Sequence, residues 1–280
     1  MIIDFHTHIL PPQVKKNRSR YIDSDPCFAL LYSNPKAKLI TADELITSMD
    51  IAGVSVSVIL NISWTTHELC VETNDYILES ISRYPERLVG FCSVQLHSPE
   101  AALEEIERCV RGGIKGIGEL RLDIQLLDMG DEQLINPLVD TIKKHKLIML
   151  IHTSEPVGHS YPGKGTVTPE MLYPFIADNP EIAIVCSHWG GGLPFYALMP
   201  EVERAISNVY FDTAASPFLY YPQIYEQAVQ LIGADKILFG SDYPLLQQER
   251  CFKEIDDCNL PEESKKMILA GNAQRLLGIN

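Results

Sequence analysis

Eight short apolar runs, rich in β-branched residues, recur along this 280-residue chain and constrain its fold more than any other feature. They are the N-terminal run that ends in Asp4-Phe5-His6-Thr7-His8, then 54–60, 88–94, 114–118, 147–151, 182–187, 209–213 and 237–241. Most neighbouring runs are separated by about thirty residues, enough for one crossover helix and two short loops. Eight such βαβ units in succession predict the α/β class and a closed (β/α)8 TIM barrel.

Helix signals fall in the gaps between the runs. Thr41 and Glu44 form a T-x-x-E capping box, which predicts the start of a helix at this point. Residues 101–110 place their apolar side chains on one stripe, and we expect the glutamates of this segment, including Glu105, to face solvent. Strands and helices therefore alternate as the barrel requires.

The length of the chain fits one barrel. A (β/α)8 barrel typically takes about 250 residues, so residues 1–280 are predicted to form a single domain with one modest insertion. The insertion is assigned to 11–39, which follows the first strand and has mixed polarity without a clean period. This position predicts a rim or lid over the barrel mouth, the alternative being a loop without a functional role.

Composition excludes several classes of protein. No apolar run approaches the ~18 residues of a membrane span, and no signal-peptide pattern precedes the first strand. The seven cysteines lack C-x-x-C spacing, which is typical of reduced structural cysteines in a cytoplasmic protein. A formal net charge of −14 disfavours nucleic acid as a partner, because phosphate binding needs a basic surface.

Metal-competent side chains stand at the ends of the predicted strands. Residues two apart in a strand share a face, so His6 and His8 are predicted to point together, with Asp4 beside them to orient a ligand. Further strand ends carry Glu119, His152, His188 and Asp242. Imidazole and carboxylate groups gathered at the carboxyl ends of barrel strands predict a divalent metal site.

The same motifs resemble those of the amidohydrolase superfamily, in particular the amidohydrolase-related group that also contains aminocarboxymuconate-semialdehyde decarboxylase. The matching segments are 3–8, His152, 187–191 and 239–244, in order along essentially the whole chain. The resemblance implies that His6, His8 and His152 bind the metal, while Asp242 completes the site and serves as general base. It implies that His188 binds a second metal or polarises the scissile group, and that the protein is a homodimer.

One or two ions are expected, depending on Glu119. Its position resembles that of the bridging carboxylate in binuclear members, and the alternative is a salt bridge to Arg121 or a charge on the rim. Zinc is the expected ion for a site rich in histidine, with manganese or iron as alternatives.

The expected reaction is hydrolysis of an amide, ester or lactone bond by a metal-activated water, with Asp242 taking the proton. Non-oxidative decarboxylation of a small unsaturated or aromatic acid is the alternative, because the resemblance includes decarboxylases. A TatD-like nuclease and a non-catalytic metal-binding protein are more distant hypotheses.

Three residues are candidates for contact with a small-molecule substrate. Arg121 lies two residues past Glu119, where it would clamp a substrate carboxylate or neutralise Glu119. His159 lies in the loop after the fifth strand. Trp189 follows the sixth strand and would either wall the pocket or pack in the core. Together with the resemblance, Arg121 favours a small carboxylated metabolite as the substrate.

Overall fold

The computed structural model describes residues 1–279, in which eight parallel strands lie side by side in sequence order. Each strand overlaps one predicted run. The strands are β1 (Ile3–His8), β2 (Val56–Leu60), β3 (Leu88–Cys92), β4 (Gly116–Leu120), β5 (Ile148–Ile151), β6 (Ala183–Cys186), β7 (Val209–Asp212) and β8 (Ile237–Leu238). The predicted (β/α)8 TIM barrel is confirmed.

Backbone hydrogen bonds between β1 and the segment after β8 close the barrel. Phe5 N–H donates to the carbonyl of Phe239 at 2.7 Å, and Asp242 N–H donates to the carbonyl of His6 at 2.9 Å. These bonds bring the His-x-His segment and Asp242 to the same edge, although 236 positions separate Asp242 from His6 in sequence.

Helices occupy the crossovers between strands and the segment after β8. They are α1 (Pro12–Lys16), α2 (Arg18–Ser24), α3 (Pro26–Tyr32), α4 (Ala42–Ala52), α5 (His67–Arg83), α6 (Pro99–Arg111), α7 (Glu132–His145), α8 (Pro169–Asp178), α9 (Ser187–Gly190), α10 (Pro200–Ala205), α11 (Ser216–Leu219), α12 (Ile224–Ile232), α13 (Gln248–Asp257), α14 (Glu262–Lys266) and α15 (Asn272–Leu277). Short 3-10 turns occupy Leu193–Tyr196, Ile206–Asn208 and Ala234–Lys236, and a π-helical turn occupies Met267–Gly271. None of the helices within residues 1–279 is long and apolar enough to cross a lipid bilayer.

The predicted helix signals are confirmed with one exception. Thr41 and Glu44 form the reciprocal capping box at the start of α4. The prediction that Glu105 of α6 faces solvent is wrong, because its side chain is buried and accepts a hydrogen bond from Asn74 Nδ2 at 2.8 Å. A buried carboxylate is tolerated here because Asn74 and Arg108 both donate to it.

The interior of the barrel is filled by side chains. Phe5 of β1 and Phe91 of β3 meet edge to face with ring centroids 5.9 Å apart, and Leu150 and Val185 belong to the same cluster. Since the interior is packed, a binding site can form only at the strand ends and their loops.

The insertion 11–39 folds into the three short helices α1, α2 and α3. Phe28 of α3 stacks on Trp64 with ring centroids 5.4 Å apart and an angle of 10° between the rings. Asp25 caps α3 through Phe28 N–H and also accepts hydrogen bonds from the backbone and hydroxyl of Thr65. The insertion is therefore anchored to the loop after β2, while its action as a lid stays a prediction.

All seven cysteines are buried and free, and every one of them lies within the described range 1–279. This arrangement agrees with the prediction of reduced structural cysteines.

Candidate active site and metal centre

The six predicted metal-ligating residues converge at the carboxyl ends of the strands. His6 and His8 belong to β1, and Glu119 belongs to β4. His152 directly follows β5, while His188 and Asp242 lie in the loops after β6 and β8. The exposed fraction of each of the four histidines and of Glu119 is below one tenth, and the Asp242 side chain is 14% exposed. Six polar side chains that are buried this close together need either a bound ion or one another as partners.

His6 and His8 face one another, as their spacing predicts. Their Nε2 atoms lie 3.1 Å apart, and Asp242 Oδ1 lies 3.4 Å from His8 Nε2 and 3.9 Å from His6 Nε2. Ligand atoms that each lie about 2.1 Å from a tetrahedral ion are about 3.4 Å apart. The spacing of these three donors therefore fits a bound divalent metal.

Glu119 stands between two groups of histidines. Its Oε1 lies 2.8 Å from His152 Nδ1 and 3.5 Å from His188 Nε2, while its Oε2 lies 3.8 Å from His8 Nε2. Two three-residue sets could hold an ion, namely His6, His8 and Glu119, and Glu119, His152 and His188. Glu119 is the one member that the two sets share. A salt bridge from Glu119 to Arg121 does not form, because Arg121 pairs with Asp123.

Asp212, the last residue of β7, is a site residue that the sequence analysis missed. Its Oδ2 accepts a hydrogen bond from His6 Nδ1 at 2.8 Å, so the Nε2 lone pair of His6 remains free for a metal. Its Oδ1 accepts from the backbone N–H groups of His188 and Ala214, both at 3.0 Å. One carboxylate thus orients a candidate ligand and fixes the backbone that carries His188.

Asp4 does not have the role that we predicted for it. Its carboxylate accepts hydrogen bonds from the backbone and hydroxyl of Ser241 and from Gln248 Nε2, and contacts no imidazole ring. The strict alternation of faces fails because the pairing of β1 with β2 is irregular between Asp4 and Thr7. Asp4 instead holds the segment that leads to Asp242.

The loop after β6 has an unusual backbone. Five consecutive residues, from His188 to Gly192, have positive φ angles, which range from 55° to 93°. Such angles cost energy for His188 and Trp189 and little for the three glycines that follow. Strain at His188 is consistent with a functional position, since strained residues cluster at active sites. Its Nδ1 donates to the carbonyl of Ala214 at 3.0 Å, which leaves Nε2 facing Glu119.

The ionisable groups strongly influence one another. Burial opposes the charged form of His6, but the carboxylates of Asp212, Glu119 and Asp242 outweigh it and raise the pKa of His6 to about 10. Burial also opposes ionisation of Glu119, yet the nearby His152 and His6 hold the pKa of its carboxyl well below the usual value. Shifts of opposite sign in touching groups are common in functional sites.

The three candidate substrate residues occupy different environments. Arg121 is buried beside Asp123, with 3.0 Å between Nη2 and Oδ2. His159 lies on the exposed loop after β5 and packs against Tyr161, and its contact with substrate stays a prediction. Trp189 is wholly buried, and its indole N–H donates to Ser216 Oγ at 3.0 Å. That placement favours the core alternative for Trp189.

Comparison with known proteins assigns the family. The family described as Amidohydrolase matches residues 3–279, which is nearly the whole chain. The chain belongs to the amidohydrolase family. This finding confirms the resemblance carried by the strand-end motifs.

Several relatives of this chain are decarboxylases. Gamma-resorcylate decarboxylase from Polaromonas sp. is 24% identical over a 263-residue alignment that covers 78% of each chain. 2-Amino-3-carboxymuconate-6-semialdehyde decarboxylase from Dictyostelium discoideum is 20% identical over an alignment that covers 99% of this chain and 92% of the relative. The fold is also that of 5-carboxyvanillate decarboxylase from Novosphingobium aromaticivorans, complexed with manganese and 4-hydroxy-3-methoxy-5-nitrobenzoic acid. The TM-score is 0.79 at 18% identity, over 100% of this chain and 96% of that one.

These relatives contradict the expectation that this amidohydrolase hydrolyses an amide, ester or lactone bond. The same histidines and carboxylates can serve hydrolysis or decarboxylation, so metal-binding groups at strand ends do not distinguish the two reactions. A divalent metal site is supported by the grouped donors, but zinc in particular is not, since the solved neighbour holds manganese.

Proposed function

We propose that this member of the amidohydrolase family is a metal-dependent decarboxylase of a small unsaturated or aromatic carboxylic acid. The observation that supports this most strongly is the buried cluster of His6, His8 and Asp242, with donor atoms 3.1 to 3.9 Å apart, in a chain whose relatives are decarboxylases. The proposal concerns small acids, and the relatives' own substrates provide the first compounds to assay.

In the proposed reaction, the carbon–carbon bond to the carboxylate breaks and CO2 leaves. The electron pair stays on the unsaturated carbon, which takes up one proton, so each turnover consumes one proton. A bound divalent cation supplies positive charge that stabilises the negative charge developing on the substrate. We propose His6, His8, His152 and Asp242 as the residues that hold it, with Glu119 contributing a carboxylate oxygen.

His188 is the proposed proton donor to carbon. Because a carbonyl oxygen can only accept, the Nδ1 that contacts Ala214 must carry a proton. A second proton on the ring therefore resides on Nε2, the nitrogen that faces Glu119 and the other donors. Asp242 Oδ1 lies within the same cluster and is proposed to accept a proton from a substrate hydroxyl or acid group.

Release of CO2 from a panel of acids tests the function. We expect manganese-loaded protein to release CO2 from an acid of this class, with 2,6-dihydroxybenzoate and 5-carboxyvanillate assayed first. His188→Gln is expected to lower kcat by about 10²- to 10⁴-fold, because a positioned acid contributes that much to a proton transfer. The matched control is His67→Gln, on the outer helix α5. Full activity in His188→Gln would contradict the assignment of the proton donor.

The metal content of Glu119→Gln tests the role of Glu119. Because His188 is reserved for proton transfer in the proposed reaction and Glu119 contributes to the one proposed ion, we expect one divalent ion per chain in the wild type and clearly less than one in the variant, measured by elemental analysis. The amide keeps the size of the side chain and removes its charge. One ion in both proteins would contradict this expectation and would mean that Glu119 serves to hold His152 through its Nδ1.

A further inference from the structure

Arg121 is a buried cation whose guanidinium is only partly used. It lies directly after β4, two residues past Glu119, and is 2% exposed. Its backbone N–H donates to Ser63 Oγ at 2.6 Å, which fixes the chain at this point. A guanidinium removed from water needs hydrogen-bond acceptors for its donors, because burying them without partners is costly.

Asp123 satisfies one edge of that guanidinium. Its Oδ1 lies 3.4 Å from Arg121 Nε and its Oδ2 lies 3.0 Å from Arg121 Nη2. Nη1 has no hydrogen-bond partner and is shielded from solvent. The edge formed by Nη1 and Nη2 is the second place where a planar carboxylate can bind with two hydrogen bonds. The unused edge therefore has the geometry of an anion-binding group.

The surroundings of Arg121 place this edge next to the candidate active site. Ser63 Oγ, which accepts from the backbone N–H of Arg121, donates to the carbonyl of Glu119 at 2.9 Å. In the loop after β5, the backbone N–H of Gly165 donates to Ser154 Oγ, which lies 3.4 Å from His152 Nε2. In the same loop, a side chain at Gly165 would come within 2.9 Å of Arg121 Nη2. Arg121 thus lies beside the candidate site and this loop, and the residues that cover Nη1 must move aside for an anion to bind there.

We propose that Arg121 binds a second anionic group of the substrate through its Nη1 edge, so that the substrate is a dicarboxylic acid. One carboxyl group leaves as CO2 at the metal centre, and the other stays on Arg121 and is retained in the product. This inference rests on the proposed decarboxylase function and narrows its substrate class. Asp123 has a positioning role, since it turns the guanidinium so that the Nη1 edge is the one left free.

Binding of a matched pair of acids tests the inference. The probes are isophthalate and benzoate, which share a ring and differ by one carboxylate, titrated calorimetrically into manganese-loaded protein. We expect the wild type to bind isophthalate about 10- to 100-fold more tightly than benzoate, since a charge-assisted bidentate pair supplies that much. Arg121→Gln is expected to abolish the preference while leaving the affinity for benzoate within about twofold.

Two further variants make the result interpretable. Arg121→Lys keeps the charge without the planar edge and should retain only part of the preference, which also covers the case that Arg121→Gln folds poorly. Arg111→Gln, on an exposed arginine at the end of α6, should behave as the wild type. A preference for isophthalate that persists in both Arg121 variants, or that is absent from the wild type, would overturn the inference.

The failure of this inference can be separated from the failure of the proposed function. If no acid releases CO2 but the preference for isophthalate falls in Arg121→Gln, the decarboxylase proposal is wrong and Arg121 still binds the second carboxylate. If CO2 is released and Arg121→Gln changes neither the preference nor the KM for a diacid, the function stands and the role of Arg121 is wrong.

Discussion

Replacing Asp242 with asparagine is expected to lower CO2 release by about 10²- to 10⁴-fold, the range for loss of an acid–base group. The amide keeps the shape of the side chain but removes the negative charge, and its NH2 group cannot bind a metal or accept a proton. Asp242 Oδ1 lies 3.4 Å from His8 Nε2, and burial leaves little water to replace the lost oxygen. We expect metal content to fall together with activity.

The barrel should remain folded in this variant, since the backbone N–H of Asp242 still donates to the carbonyl of His6. Circular dichroism and thermal unfolding check the fold, and elemental analysis gives the metal content. Asp140→Asn, on the exposed side of α7, is the matched control and should keep full activity. Turnover of Asp242→Asn within tenfold of the control would contradict the site as assigned here.

Replacing Gly191 with alanine is expected to destabilise the protein by about 2 to 5 kcal/mol, because steric overlap and an unfavourable backbone conformation add together. The new Cβ would overlap the backbone carbonyl of Ser154, with 2.8 Å to its carbonyl carbon. A backbone atom cannot rotate away as a flexible side chain does. Gly191 also has a φ of 60°, in the left-handed region. Chemical denaturation of both proteins gives the difference in free energy of unfolding.

Gly53→Ala separates the two contributions. Gly53 ends α4 with a φ of 73°, and a Cβ there would have no atom within 4 Å. This control bears only the conformational cost, about 1 kcal/mol. Equal destabilisation of the two variants would contradict the predicted steric cost and would mean that the loop after β6 shifts easily to accommodate the added Cβ.

Much of the fold was predictable because it depends on local pattern. The run 209–213 was recognised as a strand, and β7 occupies Val209–Asp212. The same run also contained an unused signal, since the acidic Asp212 stands near its end just as Glu119 and Asp242 follow other runs. Asp212 was missed because its function lies in contacts with His6 and His188, and sequence spacing does not report such contacts.

Predictions for single side chains failed where strand pairing or side-chain packing overrode the periodic sequence pattern. Asp4 was expected on the face of His6, but the irregular pairing of β1 turned it toward Ser241. Glu105 was expected in solvent, but Asn74 and Arg108 gave it partners inside the protein. The periodic sequence pattern predicts which face of a strand or helix a side chain prefers. The available hydrogen-bond partners decide whether the side chain lies on that face.

By itself, the amino-acid sequence determined the barrel and the residue types at its mouth, because strand periodicity and crossover length are local properties. Tertiary structure alone decided how those residues are connected. Closure of β1 against the segment after β8 brought His6 to Asp242, and the end of β7 supplied Asp212 to orient the ring. Tertiary packing also turned the Arg121 side chain toward Asp123 and left its Nη1 without a hydrogen-bond partner. These arrangements join positions far apart in sequence, and their geometry follows from packing and hydrogen bonding, which no local pattern encodes.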